Sequence, residues 1–178
     1  MAITTSNVTL DGLAHSLDDR DRVAAQLVAE NNNTFIANTA VQVVNPVSGS
    51  ASAITVTKAT HAGRTTMIPQ SAGSGIVHVM PTPVVGVKYH FVYVGGAVAN
   101  EDISFDLTEN GTFEGTIIHH HEGNTDSVDV VYCTQADNDV IDLKIPQAFE
   151  LTFVGKDSSS YYVWGHSTSA TPPTCANG

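Results

Sequence analysis

The run His119-His120-His121-Glu122 is the segment best equipped for chemistry. On a strand, His119 and His121 point to one face, and two imidazoles at that spacing can grip Zn²⁺ or Ni²⁺. A catalytic zinc site needs a third protein ligand. His121-Glu122 opens like a zincin motif, but Thr125 stands where the second histidine belongs, and the surroundings do not read as helix. In a trimer, symmetry could supply the missing ligands by setting three copies of one histidine around an axis. Metal analysis of protein purified without a nickel column tests that idea.

The other polar clusters are weaker. Asp137-Asn138-Asp139 followed by Asp142 resembles a calcium loop but lacks its central glycine and distal bidentate glutamate. Glu101-Asp102 and the pair Asp126 and Asp129 could act as paired carboxylates. Eighteen acids in 178 residues make such pairs inevitable, and they read as solvated faces. Gly165-His166-Ser167-Thr168-Ser169 ends in serine, so it is no nucleophile elbow. Cys133 has no cationic neighbour in sequence to activate its thiol. No Gly-Lys-Ser/Thr phosphate loop occurs. The expectation is a protein that is not an enzyme, with no catalytic, cofactor-binding or metal-binding residues.

Charge narrows the partners. Seven Lys plus Arg stand against eighteen Asp plus Glu, for a formal net charge of −11. So few cations cannot neutralise a run of phosphates, which argues against nucleic acid, and anionic membranes are disfavoured for the same reason. Protonating the eight histidines would remove most of that charge, so solubility should fall as pH drops. No segment has the roughly 18 consecutive apolar residues that span a bilayer. The N-terminal residues read as no secretory signal, and the Asn-x-Thr sequons at Asn7, Asn32 and Asn110 read as chance matches. Cys133 and Cys175 are expected to be two free thiols, one in a strand and one in the tail.

The elements that must position these residues are mostly strands. Hydrophobic residues make up 42% and charged residues only 14%, with Thr, Val, Ser, Ala, Asn and Gly prominent. Ser16 to Glu30 reads as one short helix: Ser16 can cap it, Asp18 and Asp19 suit its positive end, and Val23, Ala24, Leu27 and Val28 share a face. Asn31-Asn32-Asn33 ends it. Thr34 to Val44 alternates weakly and could add a strand to a neighbour's sheet edge. The breakers Asn45-Pro46 and Ser48-Gly49-Ser50 follow. The domain reading is therefore an arm over 1–45, a β domain over 46–166 and an irregular tail over 167–178.

Short strands recur through the β domain: Ile54–Thr57, Thr65–Ile68, Ile76–Met80, Val87–Val94, Ile103–Leu107, Thr112–His121, Val128–Cys133, Val140–Ile145, Phe149–Val154 and Tyr161–Trp164. Tyr89, Phe91 and Tyr93 form an aromatic stripe expected in the core, and Trp164 is expected there too. Asn110-Gly111 reads as a hairpin turn. The fold class is all-β, a β-sandwich or β-barrel of about nine or ten short antiparallel strands with one N-terminal helix.

Several ordered segments resemble a known group. They are Thr60-His61-Ala62-Gly63-Arg64, Ile76-Val77-His78-Val79-Met80-Pro81, Gly86-Val87-Lys88-Tyr89-His90-Phe91-Val92, Phe113-Glu114-Gly115, Gly155 and Tyr161-Tyr162-Val163-Trp164-Gly165. Across residues 53–174 the chain resembles virion structural proteins of tailed bacteriophages, of the head decoration type. The resemblance implies a non-enzymatic capsid cement protein, a homotrimer on the outer surface of the head. It would be made in the host cytoplasm and would bind the major capsid protein. The alternative is a head-fibre or tail-associated module that recognises cell-surface glycans. No catalytic residues follow from the resemblance.

Overall fold

The structure is a computed structural model that describes residues 42–43, 52–70, 75–95, 101–107, 111–123, 127–134 and 138–177. The expected helix over 16–30 and most of the expected strand over 34–44 lie outside the described residues. The described strands are β1 (Gln42–Val43), β2 (Ser52–Thr55), β3 (Thr65–Ile68), β4 (Ile76–Val79), β5 (Lys88–Tyr93) and β6 (Ile103–Asp106). They continue with β7 (Thr112–His121), β8 (Val128–Cys133), β9 (Val140–Leu143), β10 (Ala148–Gly155), β11 (Ser160–Ser169) and β12 (Thr174–Ala176). One helical turn, α1 (Lys58–His61), is capped by Thr57, whose side chain accepts from the Thr60 N–H.

The strands form two sheets. One has seven strands in the order β1-β3-β5-β10-β11-β7-β8, the other five in the order β12-β9-β6-β4-β2. All-β is therefore correct, but the antiparallel reading is not. Pairs β1–β3, β3–β5, β2–β4, β4–β6 and β7–β11 are parallel. The cause is the path of the chain. From β1 to β7 successive strands alternate between the sheets, so same-sheet neighbours are two strands apart and run the same way. The expected hairpin does not join the strands around Asn110-Gly111, since β6 and β7 belong to different sheets; Asn110 itself lies outside the described residues. Hairpin neighbours occur where the chain stays in one sheet, at β7–β8 and β10–β11.

Two further expectations change. Gln42 and Val43 pair with Thr66 and Met67 of the same chain, so they belong to the β body and not to an arm that reaches a neighbour. The tail is not irregular. β11 extends to Ser169, its ladder held by β10 on one side and β7 on the other. β12 pairs antiparallel with β9. Both segments are short or rich in small polar residues, so their local pattern is loop-like, and pairing overrides it.

The core lies where the inner faces of the two sheets meet. Alternation sends Tyr89, Phe91 and Tyr93 of β5 inward, as expected, with Phe149, Leu151 and Phe153 of β10 beside them. Phe105 from β6 faces them and is fully buried. Its ring lies 4.9 Å from those of Phe91 and Phe153 and 6.2 Å from that of Phe149. Edge-on and tilted rings at such spacings add to what burial alone contributes, about 1.5–3 kcal/mol per large apolar side chain. Gly115 on β7 allows close strand approach: at φ 135 a Cβ would collide with the Val163 backbone of β11.

Candidate functional site

β7 brings His119 and His121 onto one face, as their spacing requires, with ring centroids 4.7 Å apart. Their environments differ. His119 is fully buried, and its Nδ1 lies 3.2 Å from Ser167 Oγ on β11. Its Nε2 has no hydrogen-bond partner. Burial is the main force lowering its pKa, and neighbouring His121 adds to it. His121 lies further out, its Nε2 2.7 Å from Asp129 Oδ2 on β8. Among the described residues no group of three or more His, Cys, Asp or Glu side chains is placed to hold a metal ion. A ligand shared around a symmetry axis must reach solvent, and His119 does not.

The other clusters turn into local structure. Asp142 pairs with Lys144 and accepts from Ser104 Oγ. Asp102 accepts from Lys144 at 2.9 Å and from the Ile145 N–H at 3.0 Å. Asn138 donates its side-chain N–H to the Thr134 carbonyl. Asp126 and Asp137 lie outside the described residues. A cleft of about 250 Å³ opens beside the Lys144 pairs, lined by Asp102, Glu122, Lys144, Ile145, Ala170 and Thr171. Ile145 has φ 41, a left-handed backbone that a β-branched residue adopts only under strain.

The cysteines are not free. Cys133 at the end of β8 and Cys175 in β12 form a disulfide, with Cα atoms 5.3 Å apart. The bond joins the edge strand of one sheet to the edge strand of the other. Sequence separation of 42 residues concealed it, because proximity arises only when the sheets stack.

His78 is a buried residue that its sequence context failed to flag as such. It is fully buried, with its ring 5.0 Å from Phe105 and 5.6 Å from Phe91. Neither ring nitrogen has a hydrogen-bond partner. Burial lowers its pKa to about 4; the Ser104 backbone opposes this shift and His61 adds to it. The available signal was parity: residues 76, 78 and 80 share a face, and Ile76 and Met80 are apolar.

The most distinctive surface is the outer face of β8, β7 and β11, opposite the core. Trp164 belongs here and not in the core: Tyr161 and Val163 point inward, so Tyr162 and Trp164 must point out. The ring centroids of Tyr162 and Trp164 lie 5.8 Å apart. Cross-strand register continues the face, with Trp164 opposite Thr116, Thr116 opposite Tyr132, and Ile118 opposite Val130. Trp164 is 42% exposed and Tyr132 66%. The signal was again parity, since Tyr161 and Val163 share one side of the strand and Tyr162 and Trp164 the other, so only one pair can face the core.

Among the described residues no helix is long and apolar enough to cross a membrane. Comparison with known proteins finds no matching family model, no matching curated protein and no matching solved structure.

Proposed function

We propose that the protein is a non-enzymatic structural protein of a tailed-phage virion. In this reading it is a β-sandwich decoration protein that binds the major capsid protein on the outer surface of the head and stabilises the lattice as a homotrimer. The observation that carries the reading is the outer face of β8, β7 and β11, a surface fit for the contacts between copies that a trimeric cement protein makes. Large apolar side chains exposed together on one rigid sheet characterise protein contact surfaces. The resemblance of residues 53–174 to head decoration proteins supplies the partner. A cement protein needs a rigid body, a contact face and solubility at high copy number, and the −11 net charge favours the last. The Cys133–Cys175 bond suits a position outside the shell, where thiols oxidise once particles leave the cell.

The test is to mix the purified protein with heads that lack it and sediment them. Saturable co-sedimentation with added resistance of the heads to heat supports the reading; absence of binding at micromolar protein overturns it. A glycan-binding module from a head fibre is the second reading, and the exposed Tyr162–Trp164 ring pair favours it, since sugar rings stack on such pairs. Selective signals on a glycan array that vanish in Trp164→Ala would replace the first reading with the second.

A further inference from the structure

We infer that the outer face of β8, β7 and β11 is where copies of this chain bind one another; this rests on reading that face as a protein contact surface. Three observations converge. The first is extent. Ile118, Val128, Val130, Tyr132, Tyr162 and Trp164 are each between 42% and 66% exposed, and the strand register makes them neighbours. Side chains of this size, about half exposed, sum to on the order of 600 Å² (the lower end of what each partner buries in a specific protein interface). The second is position. β8 is the edge strand of the seven-stranded sheet, and Val128, Val130 and Tyr132 lie along it. The apolar surface therefore reaches the rim, where one copy's edge can pack on the next copy's face. Such head-to-tail contacts close into a ring when the rotation between copies divides a full turn, and a three-membered ring meets the trimer of the proposed function.

The third observation is charge, and it selects the occupant. Each copy carries −11, so copies repel except where acids are missing. Between Tyr132, Val130 and Val128 on β8 and Trp164 on β11, the facing residues are Thr116, Ile118, His120 and His166, with no carboxylate among them; Glu150 of β10, opposite His166, borders the face and lies 2.9 Å from His90 Nε2. Asp129 points to the other side of β8, and Glu114, at the margin, is held by Lys156 at 2.6 Å. A basic partner would favour an acid-lined face. An identical acidic chain requires a neutral one.

The test is the mass of the full chain in solution by size-exclusion chromatography with light scattering at neutral pH, without heads. Wild type is expected above 18.7 kDa, near three times that value. Val130→Lys and Tyr132→Glu, both at exposed positions, are expected to run at 18.7 kDa with unchanged circular dichroism and melting. A monomeric wild type at about 100 µM overturns the inference, and so does a variant that folds and keeps the wild-type mass. Head binding is measured separately on the same proteins. Monomeric wild type that loses head binding on Tyr132→Glu assigns the face to the capsid instead. Oligomer without head binding overturns the proposed function and leaves this inference standing.

Discussion

Replacing His78 by leucine should make the protein more resistant to acid. The wild-type imidazole is fully buried between Phe91 and Phe105, and neither nitrogen is paired. In the folded state it stays neutral down to about pH 4, because burial opposes the charged form. In the unfolded chain it takes up a proton near the ordinary value of about 6.5. Between those values the unfolded state binds more protons, so stability falls as pH drops from about 6.5 to 4. A shift of this size is worth about 3 kcal/mol, fully lost at pH 4 and below. His61, itself buried on α1, is depressed by burial as well and titrates in the same direction. Leucine has similar bulk and no nitrogens to desolvate. At pH 7 the variant should match or exceed wild type, since lost ring stacking of about 1 kcal/mol offsets the relief of unpaired polar atoms. The assay is urea unfolding of both proteins at pH 7, 6, 5 and 4. Carboxylates and the other histidines contribute to both, so the difference isolates His78. That difference should widen by about 3 kcal/mol from pH 7 to 4. A difference that stays flat with pH would refute the reasoning, and so would a loss above about 2 kcal/mol at pH 7, since the ring would then have partners that stabilise it.

Other expectations follow from the packing. Reducing the Cys133–Cys175 bond, or Cys175→Ser, should cost about 4 kcal/mol by the loop-entropy account for a 42-residue separation, read as a lower urea midpoint with and without dithiothreitol. Protection of the β12 and β9 amides in hydrogen exchange should fall most. Phe105→Ala removes the ring that contacts Phe91, Phe149 and Phe153 and should cost about 3–5 kcal/mol in denaturant unfolding. Ile145→Gly should raise the melting temperature, worth about 1 kcal/mol, because it relieves the left-handed backbone at a half-exposed site; a drop would show that Ile145 packing matters more. Gly115→Ala should destabilise strongly, with loss of the β7–β11 ladder in amide exchange.

The strand segments and their faces were legible because alternation is covalent geometry: neighbouring side chains on an extended backbone must point to opposite sides. Hence β3, β7 and β8 match their sequence-read bounds, and Tyr89, Phe91 and Tyr93 are buried as expected. The same rule, applied consistently, would also have exposed Trp164 and buried His78. The His119–His121 pairing on one face was equally legible, while its enclosure was not, because Ser167 arrives from β11, 48 residues on. Pairing order, parallel direction and the Cys133–Cys175 bond are contacts between distant segments. Nothing in a local pattern says whether the chain turns back within one sheet or crosses to the other, and that crossing made β1-β3-β5 and β2-β4-β6 parallel. The sequence alone determined which stretches extend and how acidic the chain is; the packing of the two sheets decided which cysteines meet, which histidines lose water and which aromatic face stays exposed.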